Sequence, residues 1–149
     1  MPLLDFFSIY VSIKNLYYKE ILMESFINTL LASFFVVLKK YSDFNGRAAR
    51  REFWMFMLCN LLVGVILSIF GFIPFIGRLF KLVSILYALA VLVPSLAVGA
   101  RRLHDTGKTA LLLLLLLIPG VGTIIVLALC LPEGVPGANE YGPDPLDET

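Results

Sequence analysis

The chain has 149 residues, enough for one domain or one small helical bundle. It is 59% hydrophobic and 15% charged with a mean hydropathy of +0.90, which excludes an ordinary soluble globule. One His and two distant Cys exclude a metal cluster built from those residues, so neither metal nor cofactor is expected.

Residues 1–40 read as an N-terminal extension that ends in an interfacial amphipathic helix. The segment carries Asp5 where a secretory signal has a basic region, and it has no small-residue cleavage site. Between Ile21 and Leu38 an apolar run is interrupted by Glu24, Ser25, Asn28, Thr29 and Ser33, a narrow polar stripe on a helix. Such a stripe suits a helix lying at the membrane surface, with Lys39 and Lys40 among the headgroups. A fourth span is the rival reading of the same residues, and Met23 is an alternative initiator.

Residues 41–132 form the predicted membrane domain. Within it Phe53–Ile73, Leu82–Ala100 and Thr109–Leu131 carry no Asp, Glu, Lys, Arg or His. At about 1.5 Å per residue these helices reach roughly 31, 28 and 34 Å, against a hydrocarbon core of about 30 Å. The predicted fold is an all-α integral membrane protein with three transmembrane helices, 53–73, 82–100 and 109–131, plus the N-terminal interfacial helix. Gly64, Ser68 and Gly71 give the first span a small-residue face that a second helix, including one from a homo-oligomer, could approach. Pro94 is a helix hinge within the second span, because it removes one backbone donor. Pro119, Gly120 and Gly122 are hinge residues of the third, which is expected to cross as a kinked helix. A re-entrant hairpin turning at Pro119 is the alternative, disfavoured because irregular backbone in hydrocarbon needs protein around it. Residues 133–149 are a Pro/Gly-rich acidic tail in which no regular helix is expected.

Charge distribution sets an expected orientation. Ten Lys and Arg flank the predicted spans on the side shared by the N-terminus and the second loop, and two lie on the other side. The positive-inside rule then predicts a multi-pass membrane protein with its N-terminus cytoplasmic and its C-terminus outside. In that topology Cys59 and Cys130 sit toward opposite faces, and no disulfide is expected.

Two basic clusters fall on the predicted inner face. The first is Phe44-Asn45-Gly46-Arg47-Ala48-Ala49-Arg50-Arg51-Glu52-Phe53-Trp54, where Arg47, Arg50 and Arg51 share one side of a helix and Trp54 anchors at the interface. The second is Arg101-Arg102-Leu103-His104-Asp105-Thr106-Gly107-Lys108, where Arg101 and Asp105 are spaced to pair along a helix. Together Arg47, Arg50, Arg51, Arg101, Arg102, His104 and Lys108 make a candidate site for an anion or a lipid headgroup, since guanidinium forks bind phosphate and carboxylate bidentately. His104 and Asp105 resemble a base and its orienter, but no nucleophile accompanies them. A hydrogen-bonded loop clamp is the favoured role, and no catalytic residue is assigned.

These clusters, followed by Pro136-Gly137-Ala138-Asn139 and Tyr141-Gly142-Pro143-Asp144-Pro145, resemble the domain-of-unknown-function 805 family of small bacterial inner-membrane proteins. The resemblance covers roughly residues 35–146 and implies a membrane location and a helical fold, with no established activity. The chain departs from that pattern in an N-terminal extension of some twenty residues. It also has Ala110-Leu111 where relatives often carry Trp.

The expected function is that of a non-enzymatic inner-membrane protein whose Arg clusters bind anionic phospholipid headgroups or an acidic membrane-protein partner. An oligomeric transporter or channel component built on the broken third span is the alternative. No nucleic-acid partner is expected, because the basic residues lie at the lipid boundary.

Overall fold

A computed structural model describes residues 2–147, with side chains from Ser12 onward. Met1, Glu148 and Thr149, the ends of the predicted extension and tail, lie outside the described residues. Four α-helices and one 3-10 helix follow in order: α1 (Pro2–Lys39), α2 (Arg50–Gly71), α3 (Gly77–Asp105), a 3-10 helix (Ala110–Leu117) and α4 (Val121–Leu129).

Among the described residues, three helices are long and apolar enough to cross a membrane: Ser12–Lys39 of α1, then α2 and α3. The all-α membrane architecture with three helices of spanning length therefore stands, but the assignment of the three shifts. Residues 21–38, read from sequence as interfacial, lie inside the first of them. The C-terminal part of α1 lies along α2, where Leu30 and Val37 are buried and Phe34 stacks on Phe56 at 5.5 Å between ring centroids.

The helices α2 and α3 form a tight hairpin. Gly77 allows it, because a Cβ there would overlap the backbone of Gly71. Phe70 stacks on Phe80 at 4.9 Å, and the Tyr87 hydroxyl donates to Asn60 Oδ1 at 2.7 Å. Paired polar groups of this kind hold helices together where lipid gives no hydrophobic drive. α3 continues through Pro94, and Ser95 Oγ donates to Val91 O at 2.6 Å beside the missing amide. At about 43 Å, α3 is longer than the hydrocarbon core, so its Arg101–Asp105 turn reaches the membrane boundary.

The predicted third span, 109–131, is not one helix. Thr109 Oγ1 accepts from Leu111 N and starts the 3-10 leg, Ile118 turns extended ahead of Pro119, and Gly120 takes φ +74°. Each leg covers only about 15 Å, half a bilayer. They fold back on each other with Gly122 against the Leu115 backbone, where a Cβ would overlap the carbonyl. The hairpin rests on α3: Leu113 lies against Gly99, and Val126 and Cys130 enter the core with Phe53, Phe56, Val98 and Leu103. This packing covers part of both legs, while residues 117–121 at the turn stay exposed. The correction has a consequence for the tail, which returns to the end of the bundle that holds both Arg clusters instead of emerging opposite them.

Gly122→Ala should therefore cost about 1–3 kcal/mol by overpacking. We expect its thermal unfolding in detergent to fall by several degrees, while Gly64→Ala, with nothing within 4 Å of the new methyl and a gain in helix propensity, does not fall below the wild-type value. Equal unfolding temperatures for the two variants would show that the legs do not touch.

Candidate functional site

Three segments converge at the Arg end of the bundle: the loop entering α2, the last turn of α3, and the tail. The loop docks first. Gly46 adopts φ +76°, a left-handed conformation that glycine reaches freely, and Ala48 N then donates to Arg101 O at 3.0 Å. His104 Nδ1 lies 3.1 Å from Gly46 O, which can only accept, so Nδ1 carries a proton.

Asp105 is the centre. Its Oδ1 accepts from Arg47 Nε at 3.0 Å and lies 2.9 Å from Arg47 Nη2, and its Oδ2 accepts from Arg102 Nη1. All three side chains are at most 4% exposed. Two guanidiniums and one carboxylate leave one positive charge in the core, and backbone dipoles of the tail answer it. Arg47 donates to Gly137 O at 2.5 Å and Val135 O at 2.6 Å, while Arg102 donates to Cys130 O at 3.1 Å and to Pro132 O.

The tail is tied by its own groups as well. Val135 N donates to Asp105 O at 2.8 Å, and Gly134 gives the Asp105 carboxylate room, since a Cβ there would overlap it. Asn139 Nδ2 donates to His104 O at 2.9 Å, and Tyr141 stacks flat on His104 at 3.9 Å. Backbone amides of Leu146 and Gly137 donate to Asp144 and hold its carboxyl below the usual range. Burial pushes the Cys130 thiol up to about 11 against the opposing pull of Arg102 and Lys108, which leaves it neutral and unreactive at physiological pH.

Of the residues singled out from sequence, the structure brings together Arg47, Arg101, Arg102, His104 and Lys108. The expected Arg101–Asp105 pair does not form. Arg101 points to α2 and pairs with Glu52 at 2.8 Å, and Asp105 is taken by Arg102 one position closer. Arg101 Nε and Nη2 are buried and have no hydrogen-bond partner among the described residues. Lys108 donates to Thr106 O at 3.2 Å. Arg50 and Arg51 stand apart: both are exposed on the first turn of α2, and neither has an ion-pair partner among the described residues. Sequence reasoning missed Asp105 as the shared carboxylate, Glu52 as the partner of Arg101, and the tail carbonyls as acceptors. The Asn139–Tyr141–Gly142 turn was the available signal, because so specific a turn in an acidic tail needs something to dock on. Among the described residues no group of three His, Cys, Asp or Glu converges to hold a metal.

Removing one partner from a buried charge cluster costs about 3–5 kcal/mol. Asp105→Asn should therefore release the tail and expose Cys130, so that in a Cys59→Ser background the thiol reacts with maleimide in the folded protein. Asp147→Asn, at an exposed position, should leave Cys130 unreactive. An unreactive Cys130 in Asp105→Asn would contradict the shared-carboxylate arrangement.

Comparison with known proteins places this site inside a shared domain. A family model described as "Protein of unknown function (DUF805)" matches residues 41–143, which takes in the α2 entry loop, the α3 end and most of the tail and leaves α1 outside. The inner membrane protein YhaI of Escherichia coli (strain K12) is 43% identical over 109 residues, covering 73% of this chain and 91% of that protein. The inner membrane protein YhaH of the same strain is 40% identical over 113 residues, covering 73% of this chain and 92% of that protein. No solved structure matches. With the family model matching residues 41–143 and both relatives 40% identical or more over nearly their whole length, this chain belongs to the DUF805 family of membrane proteins.

Proposed function

We propose that the chain is a non-enzymatic inner-membrane protein that binds the phosphate of an anionic lipid headgroup through Lys40, Arg50 and Arg51, on a frame held by Arg47, Arg101, Arg102 and His104. The division of the cations supports this reading. Arg47 and Arg102 spend their donors on Asp105 and on the tail, whereas Arg50 and Arg51 are exposed and unpaired among the described residues. Both line a cavity of about 560 Å3 together with Trp54, a residue type that favours the headgroup interface, and with Glu133 and Asp144 on its tail side. The first turn of α2 has no side-chain cap, so its free amides add to the attraction for phosphate. Acid–base catalysis has little support here, because both oxygens of Asp105 accept from guanidiniums and His104 is held by Gly46 and Tyr141.

The Arg end is assigned to the cytoplasm in this reading. Eight basic residues lie there, from Lys39, Lys40, Arg47, Arg50 and Arg51 to Arg101, Arg102 and Lys108, against Lys14, Lys19, Arg78 and Lys81 at the other end. The tail is then cytoplasmic, and with α1 crossing, the chain begins on the opposite side. This reverses both ends relative to the orientation drawn from sequence. A second reading, a subunit of an oligomeric transporter, is favoured by one observation, the re-entrant hairpin at Pro119–Gly122, since interrupted helices line substrate sites in transporters.

Native mass spectrometry from mild detergent tests both. Wild type should retain anionic phospholipid, and Arg50→Gln/Arg51→Gln should lose it while keeping the wild-type unfolding temperature. Equal retention would overturn the headgroup site, and a stable oligomer without bound lipid would favour the second reading.

A further inference from the structure

The polar face of α1 takes no part in the cluster around Asp105. Ser25, Asn28, Thr29 and Ser33 have no hydrogen-bond partner among the described residues, yet they lie on a helix of membrane-spanning length. Unpartnered polar groups are costly in hydrocarbon, so something polar must meet them. With Glu24 they line an open groove of about 810 Å3 whose other end is bounded by Lys40, Arg51, Pro145 and Glu52, the last of which is paired with Arg101.

Length and charge identify the occupant. From Glu24 to Lys40 the face runs about 24 Å along the helix, most of a hydrocarbon core of about 30 Å. Lys40 and Arg51, with no ion-pair partner among the described residues, stand at one end, where Glu52 is taken by Arg101. A carboxylate, Glu24, stands at the other, and hydroxyl and amide groups fill the interval. That order suits a headgroup carrying a phosphate and an ammonium. Leu31 and Phe35, beside the stripe on α1, are exposed, as suits contact with acyl chains. A second copy of α1 fits poorly, because parallel packing in a membrane sets Glu24 against Glu24 and Lys40 against Lys40.

We propose that this face of α1 is a track along which the polar headgroup of a phospholipid passes between leaflets while its acyl chains stay in the bilayer. The proposal rests on phosphate binding by Lys40 and Arg51, and it adds a transport step to that binding.

The test is a dithionite bleaching assay. The full chain is reconstituted in vesicles of phosphatidylethanolamine and phosphatidylglycerol that contain a fluorescent phosphatidylethanolamine. Bleaching should proceed beyond the outer-leaflet fraction with wild type. Asn28→Leu/Thr29→Val/Ser33→Ala should slow that phase about tenfold, the effect of losing one or two hydrogen bonds to the headgroup. This variant makes α1 more apolar, and an unchanged unfolding temperature will confirm its fold. Lys40→Gln/Arg51→Gln should slow the phase as well. Bleaching that stops at the outer leaflet with wild type overturns the track, and lipid retention measured on the same preparation shows separately whether headgroup binding survives. Wild-type bleaching that the stripe variant leaves unchanged also overturns it. Self-crosslinking of α1 along the stripe, without lipid movement, would assign the face to a second copy and overturn it too.

Discussion

One carboxylate holds two guanidiniums at the membrane boundary, and most of the remaining architecture follows from that demand. Asp105 at the end of α3 accepts from Arg47 ahead of α2 and from Arg102 one turn back on its own helix. Neither arginine can be left unpaired in so dry a place, because an uncompensated buried charge costs several kcal/mol. One carboxylate cannot satisfy two forks. Four carbonyls from residues 130–137 supply the remaining acceptors, and only a chain that turns back at Pro119–Gly122 can deliver them.

The re-entrant hairpin and the folded tail are thus two halves of one solution. The hairpin legs are nearly all Leu, Ile and Val, so hydrocarbon accepts their side chains, but each leg is too short to cross. Leu113 packs the first leg against Gly99 of α3, and Gly122 lets the two legs touch, while residues 117–121 at the turn stay exposed. Beyond Cys130 the sequence becomes Pro, Gly, Asn and Asp, residues that fold by turns and side-chain-to-backbone bonds and so present carbonyls in place of a helix. The outcome is a hydrogen-bonded polar plug on one end of the bundle. It consumes Arg47, Arg102 and His104 and leaves Lys40, Arg50 and Arg51 for other partners.

The sequence discloses different layers of this structure unequally. Charge-free runs mark α2 and α3 well, since 53–73 and 82–100 fall largely within Arg50–Gly71 and Gly77–Asp105. Hydropathy cannot separate a span from a re-entrant pair, because both need the same apolar residues. Pro119-Gly120-Val121-Gly122 marked the break, but the length of 109–131 argued for a crossing. The polar stripe on α1 was visible, yet the same stripe suits a surface helix and one wall of a groove. Which cations are free was hidden for a different reason. Local spacing offers only partners three or four residues away, whereas Arg47 meets Asp105 across 58 residues and Gly137 across 90.

The measurement that bears most directly on this account is the side of the membrane on which the tail lies. Single cysteines at Asp43, in the loop before α2, and at Glu140, in the tail, would be probed in intact cells with an impermeant maleimide, after Cys59→Ser and Cys130→Ser. Both cysteines should behave alike, protected in intact cells and reactive after permeabilisation. Labelling of Glu140→Cys from outside while Asp43→Cys stays protected would mean that residues 109–131 cross the bilayer, and the arginine–aspartate centre would lose its tail.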